Sequence, residues 1–366
     1  MFCPIFAGMI KPFPSPGPTV VYAAEGIRIT VDQAASPQGI ALLQKTMYGT
    51  NGPKYSHTGQ EQKVAHITGP HFFDFWVGEE VVGTYCLSER QLQTPSGSVT
   101  SFYGRYLAIA PAYSGQGYGS LLKTEAVRYL ERITAGAHLF YSYIEEANAR
   151  SMRISAKEGF TSLAQLEALV FGRLYPQKDW RFARLPSDEL GAMRALLTTA
   201  YQSYSFVQLD HLYDDQNYFV LRENGEIIAG VQANPVLWRI VEMPGLSGRI
   251  MLNVLPHLPI LKRIINPSQY AFAALEAVYL KPGREPELFV LLESVLAHFQ
   301  VTSALLMLDT NAPLSRLLKS SGKLGILNSL KKNIYTEVMV KLNGLTTDGV
   351  KQSPQQPLYT SAFDYT

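Results

Sequence analysis

Residues 107–124 read LAIAPAYSGQGYGSLLKT, and they are the most informative segment of the chain. An apolar strand runs into Pro111, a loop with glycines at alternate positions follows, and an apolar-periodic segment then predicts a helix. Gly115, Gly117 and Gly119 allow the backbone to approach a ligand closely, because no Cβ intervenes. Since the loop opens a helix, its free amides and the positive end of the helix dipole predict a cradle for a diphosphate.

The spacing of the glycines separates this loop from two other nucleotide-binding motifs. A dinucleotide-binding fingerprint reads GxGxxG with an acidic residue about 20 positions further on. This loop reads GxGxG, and the apolar Leu139 stands 20 positions after Gly119. The Gly-Lys-Ser/Thr run of a Walker-type loop is absent as well. A nicotinamide-dependent oxidoreductase is therefore disfavoured, and a purely structural turn remains the plain alternative to a phosphate site.

The order of elements around the loop predicts a mixed α/β unit, and the second half of the chain repeats that order. In the first half we expect strands and helices in the order strand 26–31, helix 37–47, hairpin 72–77 and 81–88, strand 102–109, helix 119–133, strand 139–144, helix 148–158 and two short strands within 161–174. In the second half we expect strand 180–185, a helix from 186 to about 201, hairpin 218–222 and 226–231, strand 271–280, helix 285–299, strand 303–308, helix 311–320 and strand 334–342.

A spacing that occurs in both halves of the chain supports the duplication. Asn148 and Gly159 stand 11 residues apart, and so do Asn311 and Gly322. Each asparagine follows an apolar strand and each glycine closes a predicted helix. The shared spacing and the shared element order together predict two copies of one unit.

Two segments resemble motifs of the GNAT superfamily of N-acetyltransferases. Residues 107–122 are similar to its motif A, and residues 148–160, NARSMRISAKEGF, are similar to its motif B. The resemblance is specific over about 72–160, and the element order extends it over 26–175. The second half resembles a degenerate copy, because its strand ends at Pro282 but residues 283–287, GREPE, lack alternating glycines. That copy is not expected to hold CoA.

The resemblance implies a mixed α/β fold of two GNAT-like units, each a mixed central sheet flanked by helices. We expect an N-terminal arm over 1–25, an acyl-CoA-binding domain over 26–175, a degenerate GNAT-like domain over 176–343, and a poorly ordered C-terminal tail over 344–366.

The resemblance also implies where the cofactor, acetyl-CoA or another acyl-CoA, binds. Two neighbouring parallel strands part, the pantetheine arm enters the gap, and a backbone N–H of the first strand lies near the thioester carbonyl. The predicted cofactor-binding residues are Ile109, Ser114, Gly115, Gln116, Gly117, Tyr118, Gly119, Ser120, Asn148 and Lys157. Ser114 stands where the family usually has Gln or Arg, which removes a side chain and keeps the backbone cradle. For Asn148, a contact with pantetheine and a helix cap remain equal alternatives.

Transfer from a thioester to an amine requires a neutral amine, a stabilised oxyanion and a proton for the departing thiolate. The family often uses a motif B tyrosine as the acid, where this chain has Ser155, and a glutamate on the strand before the loop as the base, where residues 103–106 read YGRY. The nearest carboxylates are Glu145 and Glu146, and the nearest phenols are Tyr143 and Tyr141. Of these, Glu146 is the candidate base and Tyr143 the candidate acid, and water is the alternative to both. A solvated strand-end carboxylate and a packed tyrosine are their structural alternatives.

Composition narrows the partners. The chain has 366 residues, 46% of them apolar and 17% charged, and its net charge of +2 comes with no basic stripe, which argues against nucleic acid. The two cysteines and seven histidines lack metal-ligand spacing, so no metal site is predicted. No run of 18 uncharged apolar residues occurs, so we expect no membrane span and a cytoplasmic location.

The function that these patterns favour is an N-acyltransferase that moves an acetyl or other acyl group from acyl-CoA to an amine-bearing acceptor. A non-catalytic CoA-binding or interaction module is the alternative. Residues 244–265 are apolar and interrupted by Pro256 and Pro259. This segment has four interpretations: packing between the two units, an acceptor or acyl pocket, docking on a membrane surface, or the contact of a homodimer.

Overall fold

The computed structural model describes residues 17–50, 52–243, 266–330 and 333–366, together with residues 245, 248 and 252. Residues 1–16 of the expected arm lie outside the described residues. So does the apolar segment 244–265, apart from the three isolated positions, and its four interpretations stay open.

The first half contains eight described strands and four described helices. They are β1 (Thr19–Ala24), β2 (Ile27–Asp32), α1 (Pro37–Lys45), β3 (Lys54–His57), α2 (Gln60–Ala65), β4 (Pro70–Val77), β5 (Glu80–Thr94), β6 (Gly97–Ile109), α3 (Tyr118–Ile133), β7 (His138–Glu145), α4 (Ala149–Lys157) and β8 (Thr161–Gly172).

The second half repeats the pattern with shorter outer strands. Its described elements are β9 (Phe182–Arg184), α5 (Leu190–Ala200), β10 (Tyr218–Glu223), β11 (Glu226–Glu242), β12 (Tyr270–Leu280), α6 (Glu285–Phe299), β13 (Ser303–Asp309), α7 (Pro313–Ser320), α8 (Ile326–Leu330), β14 (Tyr335–Asn343), α9 (Thr347–Val350) and α10 (Ala362–Tyr365).

All described strands join one mixed sheet. Its order is β1-β2-β4-β5-β6-β7-β14-β8-β13-β12-β11-β10-β9, with β3 paired to β11. Most neighbours are antiparallel, but β6 with β7 and β12 with β13 are parallel. The predicted mixed α/β class with a helix-flanked sheet is confirmed, and the sheets of the two halves run into each other without a break.

The two halves exchange their last strands at the centre of this sheet. Strand β14 of the second half lies between β7 and β8 of the first, and β8 pairs on its other side with β13 of the second half. The four central strands therefore alternate between the two halves. The domain boundaries at 175 and 343 remain a prediction, since sequence halves and spatial halves differ here.

The central helices pack on the sheet through continuous apolar faces. In α3, Leu122, Ala126, Val127 and Leu130 are fully buried against β4, β5 and β6. Helix α6 does the same in the second half, where its bounds coincide with the predicted 285–299. The 3.6-residue period of these faces explains why both helices were readable from the sequence.

Three sequence-based expectations need correction. Part of the expected arm is the strand β1, which pairs with β2. Residues 161–172 form one strand instead of two, because the polar Gln165 and Glu167 that interrupt its apolar run find partners in Glu337, Ser315 and Lys319.

The expected C-terminal tail is ordered and largely interior from Val350 onward. Val350, Leu358 and Ala362 are buried, as are several polar residues around them. Its composition predicts disorder, but Lys351 donates to Leu163 O, Thr360 donates to Met307 O, and Asp364 binds Arg90, so both halves of the sheet hold the segment in place. Within the described ranges, no helix combines the length and apolar character that crossing a membrane would require.

Candidate active site

Strands β6 and β7 part halfway along their length. Their parallel register places Thr100–Tyr103 opposite His138–Tyr141 and ends there. Beyond that point β6 continues to Ile109 and β7 to Glu145 without pairing to each other. A gap therefore opens between two neighbouring strands, directed toward the glycine loop that follows Ile109.

A bulge marks the parted half of each copy. Tyr106 in β6 has a φ of 61° and stands five residues before Pro111. Ala277 in β12 has a φ of 48° and stands five residues before Pro282. Such backbone is uncommon for residues other than glycine, so its recurrence at the same place supports the duplication.

At the apex of the gap, a glycine admits a phenol between the strands. A Cβ on Gly104 would lie 2.2 Å from Tyr85 Oη and 2.5 Å from Ser142 Oγ. The buried Tyr85 hydroxyl faces Ser142 but has no hydrogen-bond partner of good geometry. Sequence reasoning missed both side chains, since neither belongs to a motif.

Ile109 directs its backbone amide into the gap. The next amide, of Ala110, donates to Val82 O on β5 at 2.8 Å. Because successive amides of a strand point to opposite sides, the Ile109 N–H points away from β5 and toward the gap. The structure thus places this predicted donor at the open edge of β6.

The glycine loop presents unpaired amides. Gly115 and Gly117 have φ values of 87° and 84°, and a Cβ on either would meet open space. Within the described chain, the amides from Gly115 to Gly119 have no hydrogen-bond acceptor, whereas the Ser120 amide already donates to Gly117 O at 3.0 Å. All five of these residues are predicted cofactor-binding residues with free amides, and Ser120 is a weaker candidate than its neighbours.

Packing fixes the loop in place. The Tyr118 ring stacks on Phe75 with centroids 4.6 Å apart, so its side chain packs against the core while its amide stays free. A Cβ on Gly119 would lie 3.4 Å from Ile109 Cγ1, which shows how closely α3 approaches the strand. Arg150 donates to Ser114 Oγ at 2.8 Å and brings an exposed guanidinium to the loop.

Asn148 and Lys157 stand at the two ends of α4. The Asn148 side chain accepts from Ser151 N at 3.1 Å and caps the helix. Lys157 is exposed near the other end. The cap is thus observed, while a contact of either residue with CoA stays a prediction.

The three predicted catalytic residues occupy different environments. Glu146 is exposed beyond the end of β7, and its amide donates to Tyr335 O. Tyr143 is half-buried on the face that carries Tyr103, with the two rings 5.2 Å apart. Ser155 is buried between α3 and α4, where it accepts from Lys123 Nζ at 2.6 Å. Glu146 and Tyr143 keep accessible surface, whereas Ser155 is engaged in a helix–helix contact.

A buried ionic cluster lies on the Tyr143 face of the parted strands. We call Arg90, Tyr103, Arg105, Tyr141 and Asp364 the central cluster. Arg90 binds both carboxylate oxygens of Asp364, at 2.7 and 2.8 Å. Tyr103 donates to Asp364 O, and the Tyr103 and Tyr141 rings lie 5.0 Å apart. Arginines inside the apolar strands β5 and β6 were the one available sequence signal for this cluster.

The corresponding gap between β12 and β13 is filled by the protein itself. These strands pair only at Ala273 and Ala274, and then they part. Hydroxyls of four residues donate hydrogen bonds to backbone carbonyls of the parted strands: Tyr201 to Val278 O, Tyr218 to Ala277 O, Thr360 to Met307 O, and Tyr365 to Leu275 O. The cavity left there is about 20 Å³. The two gaps therefore differ, and the expectation that the second copy does not hold CoA stays a prediction.

A family model matches part of the first half of the chain. Residues 39–160 match the model of the acetyltransferase (GNAT) family. No curated protein sequence matches the chain.

Among solved structures, Saccharomyces cerevisiae N-myristoyltransferase with bound myristoyl-CoA is similar over 95% of this chain and 90% of that one, with a TM-score of 0.59 and 10% identity. The same enzyme with bound myristoyl-CoA and inhibitors is similar over 95% of this chain and 87% of that one, with a TM-score of 0.58 and 9% identity. A GCN5-related N-acetyltransferase from Kribbella flavida is similar over 90% of this chain and 75% of that one, with a TM-score of 0.49 and 12% identity. At these identities, the myristoyltransferase likeness shows a shared fold across nearly the whole chain.

Proposed function

We propose that this chain, an acyltransferase whose residues 39–160 form a GNAT family domain, moves an acetyl group from acetyl-CoA to an amine by direct transfer. The first half binds the cofactor, and the second half together with the C-terminal segment completes the acceptor side. In the reaction, the amine nitrogen bonds to the thioester carbonyl carbon and the C–S bond breaks. The amine releases a proton and the thiolate takes one up.

The observation that carries this proposal is the open gap between β6 and β7 with free amides at its outer end. An unpaired strand edge inside a sheet costs free energy unless another group satisfies it. The extended, amide-containing pantetheine arm suits the open edge at Ile109, and the diphosphate suits the amides of Gly115–Gly119. The second gap, filled by tyrosine and threonine hydroxyls, shows how the fold closes such a gap without a ligand.

The apex of the gap favours a short acyl group. Tyr85, Gly104 and Ser142 fill the point where the strands join, and the Tyr103–Tyr141 pair closes the face behind it. A long chain would have to displace these groups or leave through another face. Acetyl is therefore the acyl group we assign, and a myristoyl group is the alternative that an acyl-CoA series tests.

Two phenols flank the apex and are the candidates for proton donation to the thiolate. Tyr85 lies on the α3 face and Tyr143 on the opposite face. Burial raises the pKa of each hydroxyl, so both stay protonated at neutral pH and donate hydrogen bonds. Glu146 remains the proposed base for the incoming ammonium, and Ser155 is assigned no role in proton transfer.

Cofactor binding is tested by placing a negative charge on the loop. Gln116 is exposed, so Gln116→Glu changes the charge and leaves the packing intact. We expect the Kd for acetyl-CoA, measured by calorimetry, to rise roughly tenfold at low salt and less at high salt, because the new carboxylate repels the diphosphate. Gln355→Glu, an equally exposed change in the C-terminal segment, is the matched control. Equal Kd values in both variants would contradict the assigned cradle.

Turnover separates the enzyme from a CoA-binding module. Thiol release from acetyl-CoA in the presence of a panel of amines supports transfer. Saturable CoA binding without thiol release for any amine or acyl-CoA would favour the non-catalytic module. Faster release from myristoyl-CoA than from acetyl-CoA would overturn the acetyl assignment and leave the transferase assignment in place.

A further inference from the structure

Arg105 is a buried guanidinium with free donors. The residue is 7% exposed, and its Nη2 donates to Tyr106 Oη at 3.0 Å and to Phe363 O at 3.1 Å. Its Nε and Nη1 have no hydrogen-bond partner among the described residues. Since buried polar groups in native proteins are almost always paired, two unpaired nitrogens on one buried cation are available to bind a ligand.

Among the described side chains, no carboxylate pairs with Arg105 alone. Asp364, the carboxylate within reach, is bound at both oxygens by Arg90 and stands 4.0 Å from Arg105 Nη1. Glu276, another buried carboxylate near Asp364, accepts from Tyr359 and faces His211 instead. Two guanidinium groups thus share one carboxylate. A buried cation without its own counter-charge is costly, and an anion that binds beside it removes that cost.

A second cation borders the same space. Lys63 donates to Thr366 Oγ1 at 3.2 Å, and its ammonium lies 5.4 Å from the Phe363 ring centroid. Burial and the neighbouring Arg105 charge lower its pKa. An anion placed between Lys63 and Arg105 would interact favourably with both.

Four aromatic side chains line the approach to Arg105, and we call Tyr48, Tyr55, His57 and Trp238 the aromatic box. Tyr55 stacks on Trp238 with centroids 3.9 Å apart, and His57 packs edge-on to Tyr48 at 4.7 Å. The Tyr48 hydroxyl and Trp238 Nε1 are buried and unpaired.

Two of these four side chains, Tyr48 and His57, lie close enough to Arg105 to interact with its charge. Each of the four keeps part of its surface accessible. Yet burial raises the pKa of Tyr48 and Tyr55, and burial with the Lys63 and Arg105 charges lowers that of His57 to about 3.

We propose that the acceptor amine carries an oxyanion, a carboxylate or a phosphate, which binds Arg105 at the inner end of the aromatic box. The proposal rests on the proposed acyl transfer and adds the class of its acceptor. Arg105 directly follows Gly104, the residue at the apex of the strand gap, so an anion bound there holds its amine close to the parting strands. A planar guanidinium with free N–H groups suits carboxylate and phosphate alike, and aromatic walls suit the carbon skeleton between the two charged ends.

The experiment compares amines that differ only in the oxyanion. Glycine, glycylglycine and the other amino acids are assayed beside their C-terminal amides, and phosphoethanolamine beside ethanolamine, by thiol release from acetyl-CoA. We expect kcat/KM to be at least about tenfold higher for the anionic member of one pair or more. Arg105→Gln should abolish this preference through KM, while the Kd for acetyl-CoA stays unchanged. Arg128→Gln, on the exposed side of α3, is the matched control.

The outcomes separate this inference from the function it rests on. If capped and uncapped amines react equally in the wild-type protein, the oxyanion site is wrong and the transferase stands. If no amine releases thiol, the transferase is wrong, and calorimetry of the same amines on the CoA-bound protein still decides the site. Binding that Arg105→Gln removes supports the site, and absence of binding overturns it. The comparison of amines in the wild-type protein uses no variant. It therefore tests the proposal even if Arg105→Gln does not fold.

Discussion

Gly104 is required at the apex of the strand gap because its neighbours occupy the position of a Cβ. Gly104→Ala would place that atom 2.2 Å from Tyr85 Oη and 2.5 Å from Ser142 Oγ, so both side chains must move. We expect a loss of about 1–3 kcal/mol in the free energy of unfolding, as overpacking of a filled core produces. Urea denaturation measures it, and acetyl-CoA affinity should fall in parallel.

Two further variants test the cause of that loss. Tyr85→Phe removes the hydroxyl that clashes, so Tyr85→Phe with Gly104→Ala should recover part of the stability lost by Gly104→Ala alone. Gly191→Ala, on helix α5 where a Cβ meets open space, is the control and should be neutral or slightly stabilising. If the control and Gly104→Ala behave alike, the apex is not filled as described.

At the scale of elements, the contact between α3 and α4 contains a buried amine. Lys123 is 2% exposed, donates to Ser155 Oγ at 2.6 Å, and lies 4.1 Å from the Phe160 ring centroid. Burial lowers its pKa to about 7, with the Glu158 charge opposing. The charge at the contact between α4 and α3, the helix that follows the glycine loop, therefore depends on pH.

Lys123 should add to stability as pH rises. Below pH 7 both the folded and unfolded states hold the proton, and the cost of the buried charge is fully present. Between about 7 and the ordinary lysine pKa of 10.5 only the unfolded state holds it, so the free energy of unfolding increases with pH across this window. Lys123→Met should flatten the slope of Tm against pH there, measured by calorimetry. Lys157→Met, an exposed change on α4, should retain the wild-type slope, and an unchanged slope in Lys123→Met would refute the buried amine.

At the scale of the whole molecule, the sequence predicted what depends on local chemistry. The alternating glycines predict the loop, because positive φ and close approach of the backbone both require glycine. The 3.6-residue apolar period predicts α3 and α6. Asp364 was not predictable, because its burial depends on Arg90, 274 residues away in the chain. The exchange of β8 and β14 was also hidden, since two strands of one repeat have similar patterns and compete for similar edges.

That exchange predicts that the two halves fold only together. A first half ending at residue 175 would leave β7 without β14 and β8 without both of its neighbours, so two long strand edges would be exposed at the centre of the protein. It would also lack Asp364, which leaves Arg90 buried without its counter-charge. We expect the isolated half to aggregate or to unfold without a cooperative transition. The halves 1–175 and 176–366, expressed together, should associate and recover acetyl-CoA binding, which co-purification and calorimetry measure. A cooperative unfolding transition with CoA binding in the isolated first half would show that the units are autonomous and that the exchanged strands are dispensable.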